Sequence, residues 1–133
     1  MEDMKLQENK KKYGPKYFAK VIRILSDTTI IIDAGDSDIR VGALVQVYEY
    51  LGDLLDLDGN SLGSLEYVKA ELEVVRVEPM YAICKTPKQA KSIVITPLLD
   101  TSYRPKFDVN QDDIEPLQAK DPTVRVGDPV KRA

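Results

Sequence analysis

Between Phe18 and Lys85 the apolar positions recur with a period of two. Alternation of that kind predicts half-buried strands, not helices. Phe18 to Leu25 carries Phe18, Val21, Ile22 and Ile24, while Lys20 and Arg23 interrupt any helical stripe. Ser26-Asp27-Thr28 supplies side-chain oxygens for a tight turn. Thr29-Ile30-Ile31-Ile32 is an unbroken β-branched run, stiff at χ1 and suited to a pleated surface. The two segments read as a hairpin. Ala34 to Asp38 is then a polar loop in which Gly35 can take φ > 0. In Leu44 to Tyr50, Val45 and Val47 fall on one face and Gln46, Tyr48 and Tyr50 on the other. The valines are expected in the core and the tyrosines half exposed. Leu51 to Leu65 reads as a hairpin with a polar tip at Asp58-Gly59-Asn60-Ser61. Tyr67 to Val77 follows as a long strand, with Val68, Ala70, Leu72 and Val74 facing one way and Lys69, Glu71 and Glu73 the other. In Met80 to Lys85, Tyr81 and Ile83 oppose Ala82 and Cys84.

The pattern lapses after residue 86. Ser92 to Thr96 has the composition of one more strand, stopped by Pro97. Asp100 to Pro122 is acidic and proline-bearing without periodicity, and reads as an insertion or loop. β character resumes at Val124 to Lys131. There Val124-Arg-Val-Gly-Asp-Pro-Val130 repeats the phrase Ile39-Arg-Val-Gly-Ala-Leu-Val45. In both copies Val-Gly turns the chain, and the Val three residues past the Gly is expected to enter the core on a strand. Gly42 is expected to mark a bulge or turn. Two such turns at opposite ends of one chain predict that the last strand pairs with an early one and closes the sheet, with Val124, Val126 and Val130 in the seam. The expected fold is all-β: a small closed or partly open barrel of about six to seven short strands, with a long insertion before the last strand. Residues 1–16 are expected as a flexible arm and 17–133 as a single barrel domain, 87–122 being its insertion.

A chain of 133 residues is long enough for one modest core. No apolar run approaches the ~18 residues of a spanning helix, and the lysine-bearing N-terminus lacks the apolar centre of a secretory signal. No membrane insertion is expected, and the cytoplasm is the expected compartment. The chain holds no histidine and one cysteine, Cys84. Ser-His-Asp and Cys-His nucleophiles, and nearly all zinc sites, are thereby excluded. The net charge of −3 divides unevenly: +3 over residues 1–20, −7 over 21–86 and +1 over 87–133. An acidic body disfavours nucleic acid as the partner of the barrel, because phosphate binding needs a positive face.

Several clusters invite a chemical reading. Ile30-Ile-Ile-Asp33-Ala-Gly35 is similar to the hydrophobic-Asp-Thr/Ser-Gly signature of aspartic proteases. Ala replaces the hydroxyl residue, however, and a hairpin turn accounts for the same residues. Asp33, Asp36 and Asp38, and separately Asp53, Asp56 and Asp58, carry oxygen ligands of the kind Ca²⁺ takes. The second set departs from an EF-hand loop at the sixth position, Ser61, and the twelfth, Tyr67, and both sets read as solvated turn acids. Cys84 reads as a buried structural thiol. Tyr48, Tyr50, Tyr67 and Tyr81 could offer a stacking platform to single strands, but the acidic surroundings count against it and ordinary strand tyrosines are the better reading. Lys10-Lys11-Lys12 reads as a solvated run. No catalytic, cofactor-binding or metal-ligating residue is assigned.

Taken together, Ala19 to Gly35, Val41-Gly-x-x-Val-x-Val-Tyr48, Asp58-Gly-x-x-Leu-Gly63, Glu71-Leu-Glu-Val74 and the closing Val126-Gly-Asp resemble the C-terminal domain of the flagellar assembly protein T family. The resemblance covers roughly residues 19–86 and 123–131. It implies a small β-barrel without catalytic residues, in an accessory or assembly role. The function expected is therefore a non-enzymatic interaction or assembly module, with a protein partner or self-association. The alternative is a KOW- or SH3-like nucleic-acid-associated module using the lysine arm, since the Val-Gly-x-x-Val-x-Val strand is similar to the KOW motif. An aspartic-type hydrolase is the distant alternative.

Overall fold

The computed structural model describes residues 8, 9, 11–88 and 104–133. The chain divides into a unit comprising Met1–Pro87 with Gln118–Ala133 and a second comprising Lys88–Leu117. The first holds six strands: β1 (Ala19–Ile24), β2 (Thr29–Ile32), β3 (Leu44–Leu55), β4 (Ser61–Val77), β5 (Ala82–Lys85) and β6 (Pro129–Arg132). They form one closed ring in the order β1-β2-β5-β4-β3-β6, and every neighbouring pair is antiparallel. The described part of the second unit has a single 3-10 turn, Gln111–Asp113, capped by the Asn110 side chain, which accepts the Asp112 N–H at 3.0 Å. The proposed strand at Ser92 to Thr96 lies outside the described residues, as does the start of the 100–122 segment.

The core follows from the period of two. Five strands each send two residues inward across one outward residue: Ala19 and Val21, Ile30 and Ile32, Val45 and Val47, Leu72 and Val74, Ala82 and Cys84. These pair around the ring, Ile30 against Cys84, Cys84 against Val74, Leu72 against Val45. Val130 on β6 lies opposite both Ala19 and Val47 and is fully buried, so one residue completes the ring. Three of the five register shifts, at Ile22, Lys69 and Val75, each leave an extra residue on one strand. Such bulges bend and twist a strand, which lets a short sheet curl shut.

The repeated phrase makes the same turn twice. Ala43 N–H donates to the Arg40 carbonyl and Asp128 N–H to the Arg125 carbonyl, each at 3.1 Å. Gly42 and Gly127 occupy the third position at φ 94° and 96°, the left-handed conformation that a type II turn demands there. Each glycine N–H then ties to a core strand, Gly42 to Val74 and Gly127 to Val21. Val45 and Val130 enter the core as expected. Val126 does not belong to the seam: as second residue of its turn it is 63% exposed, like Val41 at 65%. Gly35 does not use the positive φ open to it; it is buried against the Pro79 backbone instead.

Tyr48 departs from its expected half-exposed position in an informative way. The alternation holds, and Tyr48 faces away from the barrel interior, yet it is fully buried. The segment before β1 covers it. Tyr48 Oη donates to the Tyr13 carbonyl at 2.5 Å, Tyr13 and Tyr17 rings lie 5.3 Å apart, and Lys131 Nζ sits 5.6 Å over the Tyr48 ring. Burial, with the nearby Glu66 carboxylate adding to it, pushes the Tyr48 hydroxyl well above its ordinary value.

Cys84, fully buried among apolar side chains, has its thiol pushed up to about 12 by burial. The raised value fixes the sign of a pH effect. Above about pH 9 the unfolded chain releases this proton while the folded chain keeps it, so stability falls as pH rises toward 12. In urea titrations between pH 9 and 12, Cys84→Ala is expected to reduce the slope by up to about 1.4 kcal/mol per pH unit. An unchanged slope would mean that the folded chain ionises the thiol normally.

Candidate functional site

β3 and β4 are much longer than the barrel needs. β3 pairs with β6 only over Val45–Val47, and β4 with β5 only from Glu73 onward. Beyond those points β3 and β4 pair only with each other among the described residues, down to Leu55 opposite Ser61. The result is a two-stranded ribbon about 25 Å long that runs on from one end of the barrel. Residues 56–60 close it. The Asp56 carboxylate accepts the N–H groups of Asp58 and Asn60 at 2.9 and 2.8 Å and the Asn60 side-chain amide at 3.3 Å. The Asn60 N–H, first among these bonds, holds the Asp56 carboxyl below its ordinary value.

The ribbon was legible as a hairpin, but its tip is not merely polar. Leu57, in the turn itself, is 106% exposed, and Leu54, Leu55 and Leu62 are exposed beside it. Three aspartates, Asp53, Asp56 and Asp58, intersperse these leucines, and residues 51–65 contain no Lys or Arg. An isolated two-stranded hairpin is marginal in water, and a set of leucines on it lacks cover. The overlooked signal was the doublet Leu54-Leu55 followed by a leucine inside the turn, where alternation predicts polar residues.

The other candidate residues do not converge. Asp33 serves the β1–β2 ladder: its Oδ1 accepts the Lys20 N–H at 2.7 Å, and its own N–H donates to the Lys20 carbonyl. Asp36 and Asp38 instead border a separate cleft of about 500 Å³ with Arg40 and Arg132, where Arg132 Nη2 donates to the Asp38 carbonyl at 2.9 Å. Asp53 accepts the Tyr50 hydroxyl at 2.7 Å, a bond that raises the Tyr50 pKa. Among the described residues no three acidic or thiol groups come together at metal-binding spacing. The proposed tyrosine platform is not assembled, because Tyr48 is covered and Tyr81 stands beyond β4, just before β5.

A cleft of about 480 Å³ lies at the base of the ribbon, bordered by Tyr13, Tyr48, Tyr50, Lys69, Lys120 and Asp128. Lys69, Asp128 and Glu49 on its border are already engaged. The bulge in β4 aims Lys69, whose side chain is 3% exposed, at Asp128 Oδ2 and the Thr123 carbonyl, each at 3.0 Å. The Glu49 carboxylate accepts the Lys120 and Asp121 N–H groups at 2.8 and 3.3 Å. Asp121 bonds Thr123 and Arg125, and its carboxyl is held down to about 2, chiefly by the Thr123 hydroxyl. This network clasps residues 118–128 to β3 and β4 and so delivers β6 to its place. No helix among the described residues is long and apolar enough to cross a membrane. No family model matches the chain, and no curated protein matches it.

Proposed function

We propose that this chain is a non-enzymatic interaction or assembly module whose contact surface is the β3–β4 ribbon. The observation that carries the reading is the leucine set on the ribbon: Leu54, Leu55, Leu57 and Leu62, exposed on an arm whose turn is fixed by Asp56. Exposed apolar patches mark contact sites, and a turn already held by Asp56 loses little entropy on binding. The reading agrees with the assembly role that the resemblance to the flagellar assembly protein T domain implies.

The test is capture from the native host with the intact chain and with a variant carrying Ser at positions 54, 55, 57 and 62. Associated protein is expected with the intact chain and lost with the variant, at unchanged circular dichroism. The same set captured by both would remove the ribbon from the role. Asp33→Asn, which retains an oxygen to accept the Lys20 N–H, is expected to bind as the parent does. If it instead eliminates a measurable hydrolase activity while the fold survives, the carboxylate reading replaces this one. A gel shift with RNA and DNA that weakens steeply with salt and survives the ribbon substitutions would assign the chain to the nucleic-acid-associated class.

A further inference from the structure

We infer that the ribbon's open edge is occupied by a second copy of this chain, bound about a two-fold axis. In that arrangement β4 residues 61–72 of the two copies pair antiparallel, and each Leu57 seats in the mouth of the other copy's barrel. The inference rests on the ribbon being the contact surface and names what meets it.

Strand direction supplies the first argument. β5 ends at Lys85, opposite Glu73, and past that point the β5-side edge of β4 is open among the described residues. A strand continuing the line of β5 beside β4 runs antiparallel to β4, as β5 does. β4 of a second copy, placed there, brings its own N-terminal end down onto the end of β5. The turn at 56–60 then lands at Lys85 and Thr86. The two-fold axis makes the same contact twice, the isologous closure most common among soluble oligomers. It also pairs the β4 edge of each copy, which otherwise invites uncontrolled association.

The landing point is a pocket of about 160 Å³ in the barrel mouth, lined by Ile24, Ile30, Ala70, Leu72 and Val124 and, in equal number, by the polar residues 26–29 and Thr86. A cavity of about 150 Å³ accommodates a benzene-sized group, so the isobutyl group of Leu57 fits its volume and can lie against the apolar half of the lining. Charge agrees. The tip carries three aspartates and no cation. Arg23 and Lys85, next in sequence to the lining residues Ile24 and Thr86, form no ion pair among the described residues. Asp27 in the mouth and Glu73 opposite Lys85 are the acids nearby.

Sedimentation equilibrium of the full chain decides it. The parent is expected as a dimer, and Leu57→Asp is expected to weaken it on the order of 30-fold or more. Asp58→Lys and Lys85→Glu should each weaken it, and the two together in one chain should restore it. Leu57→Cys with Thr86→Cys should give a disulfide-linked dimer on mild oxidation, and neither substitution alone should; the buried Cys84 stays silent. Four results overturn the inference: a monomeric parent, assembly beyond the dimer, cross-linking by Leu57→Cys alone, or a Leu57→Asp chain that dimerises as before. A monomeric parent that still captures a partner through the ribbon leaves the proposed function standing and removes only this occupant. Loss of both removes both.

Discussion

Removal of residues 123–133 is expected to abolish cooperative folding. The segment contains β6, and with it Val130, the residue that faces both Ala19 and Val47 across the seam. Burial of a valine contributes about 1.5–3 kcal/mol. The same deletion takes Asp128 from Lys69, whose side chain is 3% exposed, and a buried charge left without its partner costs about 3–5 kcal/mol. It also opens two sheet edges, on β1 and on β3. Against a total stability of about 5–15 kcal/mol for a domain, these losses leave little or nothing. The truncated chain should aggregate, or bind a hydrophobic dye and show no sharp melting transition. A soluble truncation with the parent's melting curve would show that the barrel stands without its sixth strand.

Gly35→Ala is expected to be the most damaging of the glycine-to-alanine substitutions. A Cβ at this position would lie 1.9 Å from the Pro79 carbonyl oxygen, 2.5 Å from its carbon and 2.9 Å from the Met80 nitrogen. All three are backbone atoms, so no side chain can swing aside. The backbone there is also tied down: Asp36 N–H donates to the Glu78 carbonyl at 3.1 Å, and Glu78 N–H to the Tyr81 carbonyl at 2.8 Å. Overpacking of this kind costs about 3 kcal/mol or more, which lowers the melting temperature by roughly 10 °C for a domain of this size. Gly42→Ala provides the contrast. Its Cβ would meet nothing within 4 Å, and its strain comes from φ 94° alone, at about 1 kcal/mol. Thermal melts of the two variants should rank accordingly. A Gly35→Ala chain as stable as the Gly42→Ala chain would show that the Pro79 turn moves freely.

What the sequence disclosed and what it hid divide along a physical line. β-branched runs such as Thr29–Ile32 declare themselves because the preference is local. The repeated Arg-Val-Gly turn declared the closure because its glycine requirement is also local, and Val45 and Val130 followed from counting. Tyr48 misled because alternation tells which side of a strand a residue takes, not whether another segment covers that side. Val126 misled because the turn, not the strand, sets its direction. The ribbon leucines were the hardest case. Pattern reasoning assumes that apolar residues seek this chain's own core, and on the ribbon they lie beyond its reach. The lengths of β3 and β4 hid for the same reason, since nothing local marks where a strand pair leaves a barrel.

The closure of the ring has a consequence for how the chain reaches its fold. Ala19 on β1 pairs with Val130 on β6, partners at nearly opposite ends of the sequence. Contacts of such separation carry a large loop-closure entropy and slow the folding rate. During synthesis the first five strands emerge long before the sixth, with the flanks of β1 and β3 bare in the interval. The β3–β4 hairpin, adjacent in sequence, forms without waiting for β6 and gives the nascent chain its early nucleus. The time between that nucleus and the arrival of Val130 is when this protein is most exposed to misassembly and most dependent on chaperones.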